Sequence, residues 1–374
     1  MNSGSKFWSN LPISKKKNND EGIISLKKPF DIEKNSEINI ITNEEISKEE
    51  LMFVLENGFG ASGNSMLIDP RLNSCSVVVK IKDSLEKIYG FCISIKCSLY
   101  LQLKNGFEII ESGMTSHLCI DKDHRNKAYA SYVIYGVIDE GFKNKIYTGY
   151  HYIDSPKSTS NLKVFNYYRP LNIKKSLENG YQIVSLSKSN LSFYMDDVPN
   201  EKQLKNLEND YSTSSYDSYN ISPTEYEDLS FLQSESSGNR KLTLIFSAVQ
   251  FELFKKQFQF FTIFNSKNGE KEIIGIVIYK LLLIHIGKLG KVSPNAQICL
   301  LEMNQNYTNV VISKLINHLK DKNFITMSGV CFGEMSNEKL RKKYGFVTSG
   351  YQYLDFYNLN VNLKDTNDAN LLYY

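Results

Sequence analysis

Residues 116–134, SHLCIDKDHRNKAYASYVI, run from a short apolar segment through a charged turn into a stretch that opens on small residues. That order suits the holding of a phosphate. The first N–H groups of a helix have no internal partner, and the helix dipole adds positive charge there. Ala128, Ala130 and Ser131 are small enough to let a phosphate approach the backbone. Arg125 and Lys127 bring full charges, and arginine grips phosphate in a bidentate way. The expectation is a helix beginning near Lys127, with residues 121–130 as the cradle. The same residues also suit an ordinary β-to-α connection with basic decoration. Other chemistry-bearing types are scattered. The histidines 117, 124, 151, 285 and 318 show no HxxxH or HxxE spacing, so no metal is expected. His151, beside Tyr150, either lines a site or is an ordinary satisfied histidine. No G-x-S-x-G or Cys-His signature points to covalent catalysis. Cysteines 75, 92, 97, 119, 299 and 331 form no CxxC pair and read as buried thiols of a reducing compartment.

The elements around these residues belong to a chain of 374 residues, 41% apolar and 23% charged, with net charge +3. That is globular composition, enough for two cores or one compound domain. A balanced charge gives no case for nucleic-acid binding, and Lys15–Lys17 reads as solvated tail. The start, MNSGSKFWSNLP, lacks an apolar signal region. No window reaches the roughly 18 apolar residues of a membrane helix. IIGIVIYKLLLIHIG is broken by Lys280 and His285 and reads as strand. The expectation is a soluble, cytoplasmic monomer without a transmembrane segment.

Apolar periodicity predicts a helix over 46–58, a hairpin over 76–99, a strand over 114–120, a helix over 126–143 and a strand over 145–153. Residues 197–240 are rich in Ser, Asn and acidic residues and read as a linker or long loop. Beyond it the order recurs: a hairpin over 258–284, a strand over 296–303, a helix over 309–323, a strand over 324–331, a short helix over 336–346 and a strand over 351–359. Gly90 and Gly275 occupy matching places in the returning hairpin strands. The duplication predicts two copies of one α/β unit on a mixed sheet; coincidence among common elements is the alternative.

The turn RNKAYA resembles the R/Q-x-x-G-x-G/A turn of the GNAT acyltransferase superfamily, with Ala128 or Tyr129 in place of the central Gly. SHLCIDKDHRNKAYAS aligns without a gap with N-F-L-C-V-H-K-K-L-R-S-K-R-L-A-P of the N-myristoyltransferases. KFWSNLPI is similar to their Q-F-W-x-T-Q-P-V, YTGYHYIDSPKS to Y-T-A-G-V-V-L-P-K-P, and NYYRPLN to Y-W-H-R-S-L-N. KLTLIFSAVQFELF and KYGFVTSGYQYLDFYNLN also resemble segments of that family, so the matches run in order from about residue 6 to the end. The resemblance implies an α/β (α+β) fold of two fused GNAT-like units sharing a mixed, saddle-shaped sheet with flanking helices. It implies an arm over the acyl-CoA at 1–45, an acyl-CoA-binding half at 46–196, the linker at 197–240, and a peptide-binding half at 241–374.

The activity implied is transfer of a myristoyl group from myristoyl-CoA, as co-substrate, to the N-terminal glycine amine of a protein. Backbone amides at His117 and Leu118 would form the oxyanion hole, Thr148 would place the amine, and the terminal carboxylate of Tyr374 would take its proton. Phe7, Trp8, His117, Leu118, Cys119 and Ile120 would bind the coenzyme, and Arg125, Asn126, Lys127, Ala128, Tyr129 and Ala130 its phosphates. Some residues depart from the pattern. ENGFGASGNSMLIDP lacks the family's acidic cluster, which leaves the peptide preference open. The Gly of T-A-G becomes Tyr150, with Gly149 one position earlier, and W-H becomes Tyr167-Tyr168. Transfer from a shorter acyl-CoA, or binding without catalysis, are the alternatives.

Overall fold

A computed structural model describes residues 21–27, 38–42, 57, 76–82, 87–127, 129–153, 162–172, 175–176, 218–237, 239–267, 269–286 and 291–373. The helix expected over 46–58 lies outside these residues apart from Asn57. Phe7, Trp8, Ala128 and Tyr374 lie outside them entirely. The chain divides into two compact units. The first comprises residues 1–162 with Tyr353–Asn362, the second Lys163–Gln352 with Leu363–Tyr374.

The first unit contains β1 (Gly22–Ile23), β2 (Asn39–Thr42), β3 (Ser76–Lys82), β4 (Ile88–Leu103), β5 (Gly106–Ile120), α1 (Tyr129–Lys143) and β6 (Thr148–Ile153). Strands β2 to β5 pair antiparallel in succession. The expected strand over 114–120 is the last part of β5, which starts at Gly106. Its partner β4 is apolar along almost its whole length and is buried along most of it. A strand covered on both faces needs such a run rather than strict alternation. Helix α1 leads from β5 to β6, and these two strands pair parallel from Ser112 opposite Thr148 to Met114 opposite Tyr150.

The second unit contains β7 (Leu162–Pro170, from Lys163 on), β8 (Tyr219–Pro223), α2 (Tyr226–Ser237), β9 (Leu242–Ile245), α3 (Ala248–Phe254), β10 (Gln259–Lys267), β11 (Glu270–Ile286), β12 (Lys291–Met303), α4 (Thr308–Asp321), β13 (Thr326–Val330) and α5 (Glu338–Lys343). Strand β14 (Val347–Tyr357) runs from the second unit into the first, followed by β15 (Leu359–Asn360) and then β16 (Ala369–Asn370). Strands β8, β10, β11 and β12 pair antiparallel, while β12 and β13 are parallel with α4 between them. Apolar residues of α4 at helical spacing, among them Val311, Leu315 and Leu319, are buried in a core shared with Ile263, Val277 and Ile298.

The linker reading of 197–240 needs correction. Its described part holds β8 and α2. Among its described side chains, helix α2 buries Asp228, Leu229, Leu232 and Gln233. Gln233 supplies the anchorage an apolar residue would otherwise give: its Nε2 donates to the Leu244 carbonyl at 3.1 Å, and its Oε1 accepts from the Phe246 amide at 3.2 Å. A helix held by so few apolar positions is invisible to periodicity in a Ser- and acid-rich stretch.

The expected repetition is visible in detail. Ile81 faces Gly90 and the register then slips by one residue; Ile263 faces Gly275 and slips in the same way. A Cβ on Gly90 would lie 2.8 Å from the Cys119 carbonyl and 3.5 Å from Val133 of α1, and one on Gly275 2.8 Å from Val311 of α4. Both crossover helices also end alike. Lys145 and Asn323 adopt positive φ, and the next amide reaches back five residues, from Ile146 to Gly141 and from Phe324 to Leu319.

Candidate active site

The site begins where the β4–β5 ladder loses its regular register. Gly90 faces Ile120, Phe91 faces Cys119, and the next pair is Ile93 with Ser116. His117 and Leu118 therefore share the place opposite the single residue Cys92. A bulge of this kind takes an extra residue's main-chain groups out of the ladder and re-aims them. The side chains of Leu118, Ile120 and Tyr129 pack against Ile81, Cys92 and Val133, which holds the bulge on a rigid base.

The turn after β5 is built by its own side chains. Asp121 Oδ1 accepts from the Asp123 amide at 3.4 Å, and its Oδ2 lies 2.9 Å from His124 Nδ1. The His124 ring stacks on Tyr89 at 3.8 Å, and Tyr89 stacks on Tyr129 at 5.8 Å. Arg125 Nε donates to the Ile120 carbonyl at 3.3 Å. Asn126 has φ +65°. A left-handed residue cannot lie within a right-handed helix, so Asn126 stays in the turn, and α1 runs from Tyr129, close to the start expected near Lys127. Arg125, Asn126 and Lys127 are exposed, and Arg125 and Lys127 bring positive charge to the turn before α1.

Thr148 opens β6, buried, and its Oγ1 donates to the Glu111 carbonyl at 3.3 Å. A Cβ at Gly149 would lie 3.0 Å from the Gly113 carbonyl oxygen. This close approach of backbone to backbone favours glycine at 149, while Tyr150 is fully buried. Burial pushes the Cys92 thiol up to about 12 and the Cys119 thiol up to about 11, the latter against the pull of Arg125. Neither is a thiolate at neutral pH.

In the second unit β16 runs parallel to β9, and Ala369, Asn370, Leu371 and Leu372 are buried. Asn370 Nδ2 donates to Glu302, which also receives Arg240. The Tyr373 amide donates to the Cys299 carbonyl at 2.9 Å. Cys299 is itself the extra residue of a bulge, since Ile278 faces Leu300 and Tyr279 faces Ile298. The described chain thus ends inside a packed unit rather than fraying, as ends usually do.

No protein-family model matches the chain, and no curated protein sequence matches it. Solved structures do. One Saccharomyces cerevisiae N-myristoyltransferase structure with bound myristoyl-CoA superposes at TM-score 0.66 with 14% identity, covering 96% of this chain and 93% of that one. A second reaches TM-score 0.68 at 15% identity over 96% and 88%. A third, with myristoyl-CoA and inhibitors, reaches 0.68 at 15% identity over 97% and 94%. The chain has the N-myristoyltransferase fold. The class is α/β, with mixed sheets and flanking helices, as the resemblance implied.

Within this N-myristoyltransferase fold His117–Lys127, Tyr129 and Ala130 follow one another on β5, the turn and α1, whereas Thr148 on β6 pairs with Ser112, five residues before His117 on β5. Leu118, Ile120 and Tyr129 are packing residues. The Tyr89–His124 stack was not among the expected features. Its signal was slight, an aromatic beside Gly90 and a histidine in the turn. Sequence reasoning also left His151 undecided and passed over Asp355, although His151 Nε2 lies 3.6 Å from Asp355 Oδ2.

Proposed function

We propose that this protein transfers an acyl group from myristoyl-CoA to the N-terminal glycine amine of a peptide. The observation that carries the reading is the bulge at His117–Leu118, two residues before a basic turn and a helix entrance, in a chain with the N-myristoyltransferase fold. The main-chain amides of His117 and Leu118 meet the oxyanion of the thioester carbonyl; backbone donors tolerate the exchange of Phe for His at this position. Arg125, Asn126, Lys127, Ala128, Tyr129 and Ala130 hold the coenzyme phosphates, with Phe7, Trp8, Cys119 and Ile120 packing around the rest. The amine attacks directly, in line with the carbonyl and placed by Thr148. Because an α-amino group has a pKa near 8, it must first lose a proton, and the terminal carboxylate of Tyr374 accepts it. Among the described cysteines no thiol is activated for a covalent route, since burial raises the pKa of all five. The domain roles follow, with residues 1–45 as the arm over the coenzyme, 46–196 holding the acyl-CoA and 241–374 receiving the peptide.

The test is CoA release when the protein is mixed with N-terminal glycine peptides and either myristoyl-CoA or acetyl-CoA. Release with the long chain alone is expected. Release with acetyl-CoA alone points instead to a short-chain acyltransferase, and binding without release to a silent descendant. Removal of Tyr374 should lower turnover far more than it lowers affinity for myristoyl-CoA.

A further inference from the structure

Acylation of an amine that arrives as ammonium removes two protons from the same nitrogen. One is lost before attack. The second is lost as the tetrahedral adduct collapses, when the C–S bond breaks and sulfur leaves as a thiolate that needs a proton. The carboxylate named above accounts for the first transfer only. The second needs a group that can take a proton from an ammonium-like nitrogen and give it to a thiolate, and a neutral imidazole suits both tasks.

His151 has the setting for this. Side chains alternate along a strand, so Gly149 and His151 share one face of β6 while Thr148 and Tyr150 share the other. His151 pairs directly across from Asp355 on β14. Its Nε2 lies 3.6 Å from Asp355 Oδ2, while Asp355 Oδ1 accepts from the Phe356 amide at 3.1 Å. The carboxylate is the more deeply placed partner, 10% exposed against 20% for the imidazole side chain. A sunken carboxylate behind a more open imidazole is the arrangement that orients a base and stabilises its protonated form. On the other side, the parallel register runs as far as Met114 beside Tyr150, and Thr115 and His151 are the next residues of the two strands, just before the bulge. The bulge lies two residues further on, ~7 Å along the strand and one strand spacing, ~5 Å, across. Tyr353 and Tyr357 flank Asp355 on the same face of β14; Gly113 and Thr115 of β5 do not titrate.

Resting on the acyl transfer read above, we propose that His151, oriented by Asp355, takes the second proton from the attacking nitrogen and passes it to the departing CoA sulfur. The C–N bond forms, the C–S bond breaks, and the proton moves from nitrogen to imidazole to sulfur. Asp355 is a positioning residue and His151 a catalytic one.

The experiment measures steady-state acylation of a glycine peptide by myristoyl-CoA in wild type, His151→Ala and Asp355→Asn, with imidazole added in a second series. His151→Ala is expected to lose roughly 10²-fold in kcat, with KM for both substrates within about twofold. Added imidazole should restore part of the loss, which it cannot do for a residue that only supports the strand. Asp355→Asn should move the acid limb of the kcat profile to lower pH, because the imidazolium loses its counter-charge. If His151→Ala does not fold, His151→Gln is used, with the same loss expected. An unchanged kcat, or a loss from His151→Ala that imidazole does not repair, overturns the shuttle and leaves the acyl-transfer reading standing. A wild type that releases no CoA overturns both.

Discussion

Glu302 is 1% exposed on β12 and receives both Arg240 and Asn370. Gly333, at φ +51°, makes room for the guanidinium, since a Cβ there would lie 2.9 Å from Arg240 Nη2. Removing one member of a buried ion pair leaves the other charge without compensation, which costs about 3–5 kcal/mol. Arg240→Met should therefore lower unfolding stability by about that amount in denaturant titrations. Arg240→Met with Glu302→Leu should recover much of it, as buried pairs are often replaceable by apolar residues. Gly275→Ala tests packing instead. Its methyl would meet both Val311 methyl groups below 3.0 Å, and overpacking of this kind costs about 1–3 kcal/mol. The expected readout is a lower melting temperature. Gly275 was marked in the sequence by its match with Gly90, whereas the Glu302 network joins residues far apart along the chain and left no local trace.

Among the elements, α3 and α4 are held in different ways. Helix α3 starts with a capping box, Ser247 accepting from the Gln250 amide and Gln250 reaching back to the Ser247 amide. Ser247→Ala should cost about 1 kcal/mol, read in the thermal unfolding midpoint. Helix α4 has no side-chain cap at its start and relies on burial, which extends to His318. The His318 Nε2 lies 3.2 Å from the Tyr279 hydroxyl, and its ring faces Phe261. Burial, aided by Lys322 and opposed by Asp321, holds this imidazole below the usual histidine range. The unfolded chain then takes up a proton near pH ~6.5 that the folded chain refuses. Stability should be full above that pH and fall below it, and His318→Gln should flatten the slope in denaturant titrations run from pH 7.5 to 5.5. Elements with strong periodicity, such as α4 and the long hairpins, were legible in the sequence. Helix α2 was not, because a glutamine secures it.

At the scale of the whole molecule the repeated order of elements was readable, because each copy needs a glycine where its helix crosses the sheet and an apolar helix face above it. The turn of the candidate site was readable too, through Arg125, Lys127 and the small residues after them. The bulge at His117–Leu118 was not, since nothing in the residue types announces a slip of register. The His151–Asp355 pair was equally hidden, as it joins neighbouring strands that lie far apart in sequence. The division of the chain also makes a prediction. The first unit includes Tyr353–Asn362, whose strand pairs with β6 and whose Asn358 donates to the carbonyls of Ser25 and Tyr147 at 2.6 and 2.8 Å. A fragment ending at Leu162 should lack cooperative melting, and a peptide spanning 353–362 should bind it and raise its thermal stability.

During synthesis this division has a cost in time. Strand β6 leaves the ribosome some two hundred residues ahead of the strand that pairs with it. At ~5–20 residues per second the exposed edge waits on the order of ten to forty seconds, long enough for misassociation with other nascent chains. Slower translation or fewer available chaperones should therefore lower the soluble yield of this protein more than that of one whose halves each close from contiguous sequence.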